Sequence, residues 1–260
     1  MKQVKLFESR VQERELLETH IRMRAANAAP LRILEAGCGR NWPLELAGIE
    51  YSLVGVDTNE KALEIRKTQI GDLDEVIVGD LRTVEFEEGT FDVIYNSFVL
   101  EHVVDARKVL DNFHKWLKPS GILIVRIPDR DSVYGYFTRT MPFFVHVMFA
   151  RHVKGFRQAG RPGFGPYPTY HEPVVSRRGM HEFCQDNDCL LMEEYGQGYY
   201  LEWPGLASRL MRLFVATASL ISLGNLPWRY NNLTYIVQKD GGDLPGQEKR
   251  PNRNVAESHG

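Results

Sequence analysis

Between residues 31 and 127 the chain repeats one arrangement: a short apolar run, a turn built on glycine or aspartate, then a segment of helical pattern. The runs at 31–36, 52–56, 75–78, 91–96 and 121–127 are apolar enough to be strands buried on both faces. Parallel strands need a crossover connection, usually a helix, so the alternation points to a parallel sheet with helices on both faces. Before the fifth run, Ala106, Val109, Leu110, Phe113 and Leu117 form one helical stripe, which Lys118-Pro119-Ser120-Gly121 stops.

The same reading extends outwards. Ser9 and Gln12 have capping-box spacing, and Val11, Leu17, Ile21 and Ala25 follow at roughly helical intervals, predicting a helix over 10–27 that Pro30 ends. A helix over 176–187 and strands over 190–199 and 232–237 bring the expected sheet to seven strands in one domain spanning 1–240. Two segments break the rhythm. Residues 130–173 crowd aromatic, proline, glycine and basic side chains together, and 203–228 form a second apolar piece. Residues 241–260 hold almost nothing to bury, and a disordered tail is expected there.

Several function classes lose ground on composition. The 32 Lys and Arg nearly balance the 34 Asp and Glu, so no global field favours nucleic acid as a partner. Cys38, Cys184 and Cys189 are odd in number and lack metal-ligand spacing, which argues against a disulfide framework, a structural zinc or another metal site. The first thirty residues contain no apolar signal region, and the stretch 213–223 is too short to span a bilayer. The expectation is a cytoplasmic protein.

A nucleotide-type site is expected where the first strand turns through Glu35-Ala36-Gly37-Cys38-Gly39, because glycines let the backbone approach a ligand. Asp57 ends the second strand, where a carboxylate can accept from both hydroxyls of a ribose; its plainer reading is a helix cap. A dinucleotide fingerprint needs glycine at 42, where Trp42 stands, and this disfavours NAD. Glu35 suits a cationic cofactor better than a phosphorylated one. Asp80 could accept the exocyclic amine of adenine, with Leu81 over the ring.

Together with 91–96 (FDVIYN), 100–103 (LEHV) and 117–123 (LKPSGIL), these motifs resemble the class I S-adenosylmethionine-dependent methyltransferases. The resemblance covers about 31–127 and, more weakly, 176–199 and 232–238. It implies a Rossmann-like α/β fold whose seven-stranded sheet has one antiparallel strand, with S-adenosyl-L-methionine across the carboxyl ends of the first, second and fourth strands. Gly37 and Gly39 would flank its methionine part, Asp57 its ribose, Asp80 and Leu81 its adenine. Asn96 and Phe98 would line the methionine end beside the acceptor. Arg40-Asn41-Trp42 departs from the family pattern, and Arg40 or Asn41 could meet the cofactor carboxylate.

Methyl displacement from a sulfonium asks a protein chiefly to align an acceptor and, for a hydroxyl, to remove a proton. His102 and His171 are the candidate bases, since imidazole titrates near neutral pH; for both the plainer reading is structural. The aromatic insertion should form a lid, with Tyr134, Phe137, Tyr167 and Tyr170 as candidate contacts to a small, apolar or amphipathic acceptor. Its alternative use is a homodimer contact. Arg139, Arg151, His152, Lys154, Arg157, Arg161, Arg177 and Arg178 put a basic rim on this apolar patch, suiting an anionic acceptor or a peripheral contact with an acidic membrane.

Overall fold

The structure, a computed structural model, describes residues 3–152, 155–161, 165, 167–170, 172–198 and 206–241, with backbone alone at 206–208. The expected tail lies, but for Gly241, outside the described residues. All seven expected strands are present: β2 (Leu31–Ala36), β3 (Tyr51–Asp57), β4 (Glu75–Val78), β5 (Phe91–Ser97), β6 (Leu117–Pro128), β7 (Leu190–Gln197) and β8 (Asn232–Gln238). An eighth, β1 (Lys5–Leu6), adds two residues parallel to β7 at the sheet edge. The spatial order is β1-β7-β8-β6-β5-β2-β3-β4, and β8 alone runs antiparallel, to β6 and β7.

Period-two alternation divides each strand between two layers. Ile33, Val93, Ile124 and Ile236 face one side, where Leu17 and Ile21 of α1 (Arg10–Ala28) close the core. Leu34, Ile94, Val125 and Val237 face the other, under Val109 and Phe113 of α3 (Ala106–Trp116) and Met180 and Phe183 of α6 (Arg177–Asp186). The α1 cap forms as its spacing predicts: the Ser9 side chain accepts from Gln12 N at 3.1 Å. From β2 the chain steps outwards through β3 to β4, then returns to the far side of β2 as β5. That reversal opens a crevice beyond the carboxyl ends of β2 and β5.

The two segments that break the strand rhythm are more regular than their sequence suggests. The first holds α4 (Val133–Thr140) and α5 (Phe143–His152), and the second holds α7 (Leu206–Ile221). Val133 and Val215 form a small core where α4 meets α7, with Phe137, Met211 and Trp228 packed around it. The insertions thus pack on each other. Proline and aromatic density masked the helical period because each helix is short and apolar on more than one face.

Candidate active site

At the end of β2 the chain turns through Gly37 and Gly39, at φ of +75° and +56°. A Cβ on Gly37 would collide with Val99, whereas one on Gly39 would meet nothing within 4 Å, so bare backbone faces an open cleft there. Asp57, ending β3, accepts from Gly39 N at 2.9 Å and Asn59 N at 2.8 Å, which laces the glycine turn to the next strand. Asn59 caps α2 (Glu60–Ile65), so Asp57 is not the helix cap. Past β4, Arg82 folds back with Nε 3.0 Å from both oxygens of Asp80 and holds that carboxyl below its usual range. Leu81 is buried beside it. Gly37, Gly39, Asp57, Asp80, Leu81 and Phe98 all line one cleft of about 950 Å³.

The far wall of this cleft comes from the end of the first insertion. Tyr167, Pro168 and Tyr170 line it next to His102, whose ring meets that of Tyr167 edge-on at 5.8 Å. Four hydrogen bonds hold that segment down. Tyr170 N donates to Glu101 O at 2.9 Å, His102 Nδ1 lies 2.8 Å from Pro168 O, and the Glu172 carboxylate accepts from Asp105 N and Ala106 N at the start of α3. A carbonyl can only accept, so Nδ1 of His102 donates to Pro168 O. Nε2 sits 3.8 Å from Glu101 Oε1. Glu101 is 5 % exposed, and its Oε2 has no hydrogen-bond partner among the described residues. Burial pushes its carboxyl up to about 8.

Four of the expected site residues lie elsewhere. Glu35 is buried beneath the glycine turn, where its carboxylate meets Arg66 Nη2 at 2.9 Å while Arg66 Nη1 donates to Cys38 O at 3.0 Å. It braces the turn from below instead of meeting a cationic ligand, and desolvation pushes its carboxyl up to about 8. Asn96 is fully buried and donates to Ala36 O at 2.9 Å, tying β5 to β2 behind the cleft. Phe137 turns to α7, its ring 5.3 Å from that of Phe214, and Tyr134 stands on the same helix outside the cleft lining. For Phe137 the physical reason is packing between α4 and α7, which takes the ring that the sequence assigns to an acceptor. His171 lies outside the described residues.

A second cleft, of about 580 Å³, was not legible in the sequence. α1 contributes Glu13 and Leu17, the strands Tyr95, Arg126 and Gln197, and Phe98 lines this cleft as well as the larger one. Phe98 holds φ +56° with the Arg126 guanidinium 5.0 Å from its ring. Arg126 Nη1 donates to Ser97 Oγ at 3.1 Å, and its Nε lies 2.8 Å from Glu13 Oε1. Thr234 and Gln197 donate to the same Glu13 oxygen. One signal was available: Arg126 is the lone charge in the apolar end of β6, ILIVRIP.

Residues 7–190 match a protein family described as a methyltransferase domain. The chain belongs to that family. Demethylmenaquinone methyltransferase of Staphylococcus epidermidis is 29% identical over 133 residues, 46% of this chain and 55% of that protein. Phosphoethanolamine N-methyltransferase 1 of Triticum aestivum is 30% identical over 103 residues, 36% of this chain and 20% of that protein. The chain therefore spans about half or less of these curated relatives. Among solved structures, an S-adenosylmethionine-dependent methyltransferase of Mesorhizobium loti superposes with a TM-score of 0.52 at 16% identity, covering 85% of this chain and 96% of its own. The [4+2]-cyclase SpnF superposes equally well, at 0.52 and 13% identity, covering 93% of this chain and 89% of its own. At such identities the likeness is one of fold. The matched residues 7–190 include every residue that lines the larger cleft.

Proposed function

We propose that this methyltransferase binds S-adenosylmethionine in the larger cleft and passes its methyl group to an oxygen or nitrogen of a small, partly apolar acceptor held in the smaller one. The observation that carries this reading is that the two clefts meet at Phe98, just beyond the carboxyl end of β5. The residues present fit the cofactor. Gly39 offers backbone without a Cβ facing open space, Arg40 lines the same end and suits a carboxylate, and Asp57 lies where ribose hydroxyls would need an acceptor. Asp80, though engaged by Arg82, keeps acceptor capacity for an adenine amine, since a carboxylate offers about four lone-pair sites.

When bound, the cofactor supplies a methyl group already activated by its sulfonium. The chain's own task is positioning and exclusion of water. Phe98 would separate the two ligands' bulk while leaving the methyl path along its edge, and Tyr167 and Tyr170 would roof the cofactor side. His102 Nε2 is available to take a proton from a hydroxyl acceptor, with Glu101 beside it. Two relatives are named for small-molecule acceptors, which supports that class over nucleic acid. The smaller cleft combines the walls Leu17, Leu44 and Tyr95 with the polar Arg126, Gln197 and Asn231, as an amphipathic acceptor requires.

Isothermal calorimetry tests the reading. S-adenosylmethionine and its demethylated product should both give saturable heat, and NAD none. Heat from NAD with none from the other two would overturn it.

A further inference from the structure

Of the 34 acidic residues in this chain, none falls within 132–171 or 203–239. These stretches contain the second insertion whole and the first except for its ends, where Asp131 and Glu172 stand. The first carries Arg139, Arg151, Lys154, Arg157 and Arg161, and the second Arg209, Arg212, Arg229 and Lys239, so the rest of the chain holds the entire negative excess. A surface helix normally mixes both signs on its outer face. Here carboxylates are missing from stretches that also leave apolar side chains outside.

The exposure is concentrated on α7. Residues three and four apart share a helix face, so 210, 213, 214, 217, 220 and 221 form one stripe. Along it Leu213 is 66 %, Leu220 76 % and Ile221 77 % exposed, and Leu223 in the following turn reaches 89 %. Val215, 3 % exposed, marks the opposite face, which is already committed to α4. The stripe is therefore surplus to the core. Single exposed leucines need no explanation, but a continuous row on one helix does. Arg209 and Arg212 are exposed on the same helix, and long basic side chains can keep their charge at headgroup level while the stem lies along apolar surface. No helix among the described residues is long and apolar enough to cross a membrane.

We propose that α7 lies on the surface of an anionic lipid bilayer, its Leu210–Leu223 stripe in the interfacial layer and its arginines among the acidic headgroups. An amphipathic helix that carries cations and no carboxylate suits such a surface better than a second copy of this chain: two copies would bring like charges together. α5, in the first insertion, exposes Phe144 at 63 % and Met148 at 55 %, which adds apolar surface to the other acid-free stretch. The inference is independent of methyl transfer.

Vesicle flotation of the full chain decides it. Binding is expected to vesicles of mixed phosphatidylglycerol and phosphatidylcholine, to weaken at high salt, and to be absent with phosphatidylcholine alone. The variant Leu213→Glu/Leu220→Glu should bind anionic vesicles at least tenfold more weakly while keeping its melting temperature and its calorimetric response to S-adenosylmethionine. Leu220→Trp, which retains an apolar side chain, should show fluorescence quenched by brominated lipid. Failure of the native chain to float with anionic vesicles at low salt, or an unquenched tryptophan at 220, overturns the proposal. So does a native dimer that the double glutamate variant turns into a monomer with vesicle binding unchanged, since the stripe is then a contact between copies.

Discussion

Asp57 and Glu101 are both acidic residues beside the larger cleft, and their surroundings give them opposite tasks. Asp57 accepts from two backbone N–H groups and lines the cleft, so its Ala variant loses a ligand contact and the lacing of the Gly37–Gly39 turn together. Asp57→Ala is expected to weaken S-adenosylmethionine binding by roughly 1–3 kcal/mol, read by calorimetry. An unchanged affinity would remove Asp57 from the cofactor site. Burial raises the Glu101 carboxyl from 4.5 to about 8. Between those two values the folded chain retains a proton that the unfolded chain has released, so this group's contribution to stability falls as pH rises through the window. Urea unfolding across that range should show the decline, and Glu101→Gln, which cannot ionise, should flatten it. An equal slope in both proteins would show that other groups set it.

At the scale of elements, α3 starts without a cap of its own. Its N-cap residue Asp105 is in the left-handed region at φ +64° and makes no side-chain cap bond; Glu172, from the end of the first insertion, supplies the acceptor instead. Glu172→Ala should therefore destabilise the domain by about 0.5–2 kcal/mol, the usual worth of a cap, seen as a lower urea midpoint. Because Tyr170 and Pro168 are bonded on the same segment, acceptor turnover should fall too. The insertion is thus two things: a clamp at its end, which completes the cleft wall, and an outer part around α5. Replacing 143–161 with a short Gly/Ser linker removes only the outer part. Cofactor affinity should stay within a few-fold while methyl transfer to an apolar acceptor drops, measured by calorimetry and by mass gain of the acceptor. Full turnover in the shortened protein would show that α5 has no part in acceptor handling.

For the whole molecule, the larger cleft joins parts of the chain far apart in sequence, from Gly37 to Tyr170. A ligand that binds only this assembled state stabilises it by RT ln(1 + [L]/Kd), about 2.7 kcal/mol at one hundred times Kd. For a domain of this size that corresponds to a rise in melting temperature of roughly 5–10 °C, which differential scanning fluorimetry with S-adenosylmethionine should show. Methyl displacement from sulfur needs no Lewis acid, so turnover should persist in a chelator; loss of activity restored by added magnesium would contradict this.

The local code of this chain determined its elements and their order. Buried parallel strands need continuous apolar runs and helices need a 3.6-residue period, so β2 to β6, α1, α3 and α6 are written in short windows of sequence. The glycine turn and Asp57 are equally local, because backbone at positive φ needs glycine and strand ends expose their last side chain. Tertiary structure decided what those windows do not contain. Glu35 and Asn96 sit at strand ends in sequence, yet packing turns one to Arg66 and the other to Ala36 O. Phe137 meets α7, and the smaller cleft unites Glu13, Arg126 and Gln197 from three distant elements. Periodicity records whether a side chain is buried, because burial depends on its own hydropathy; which partner it meets depends on the path of the whole chain.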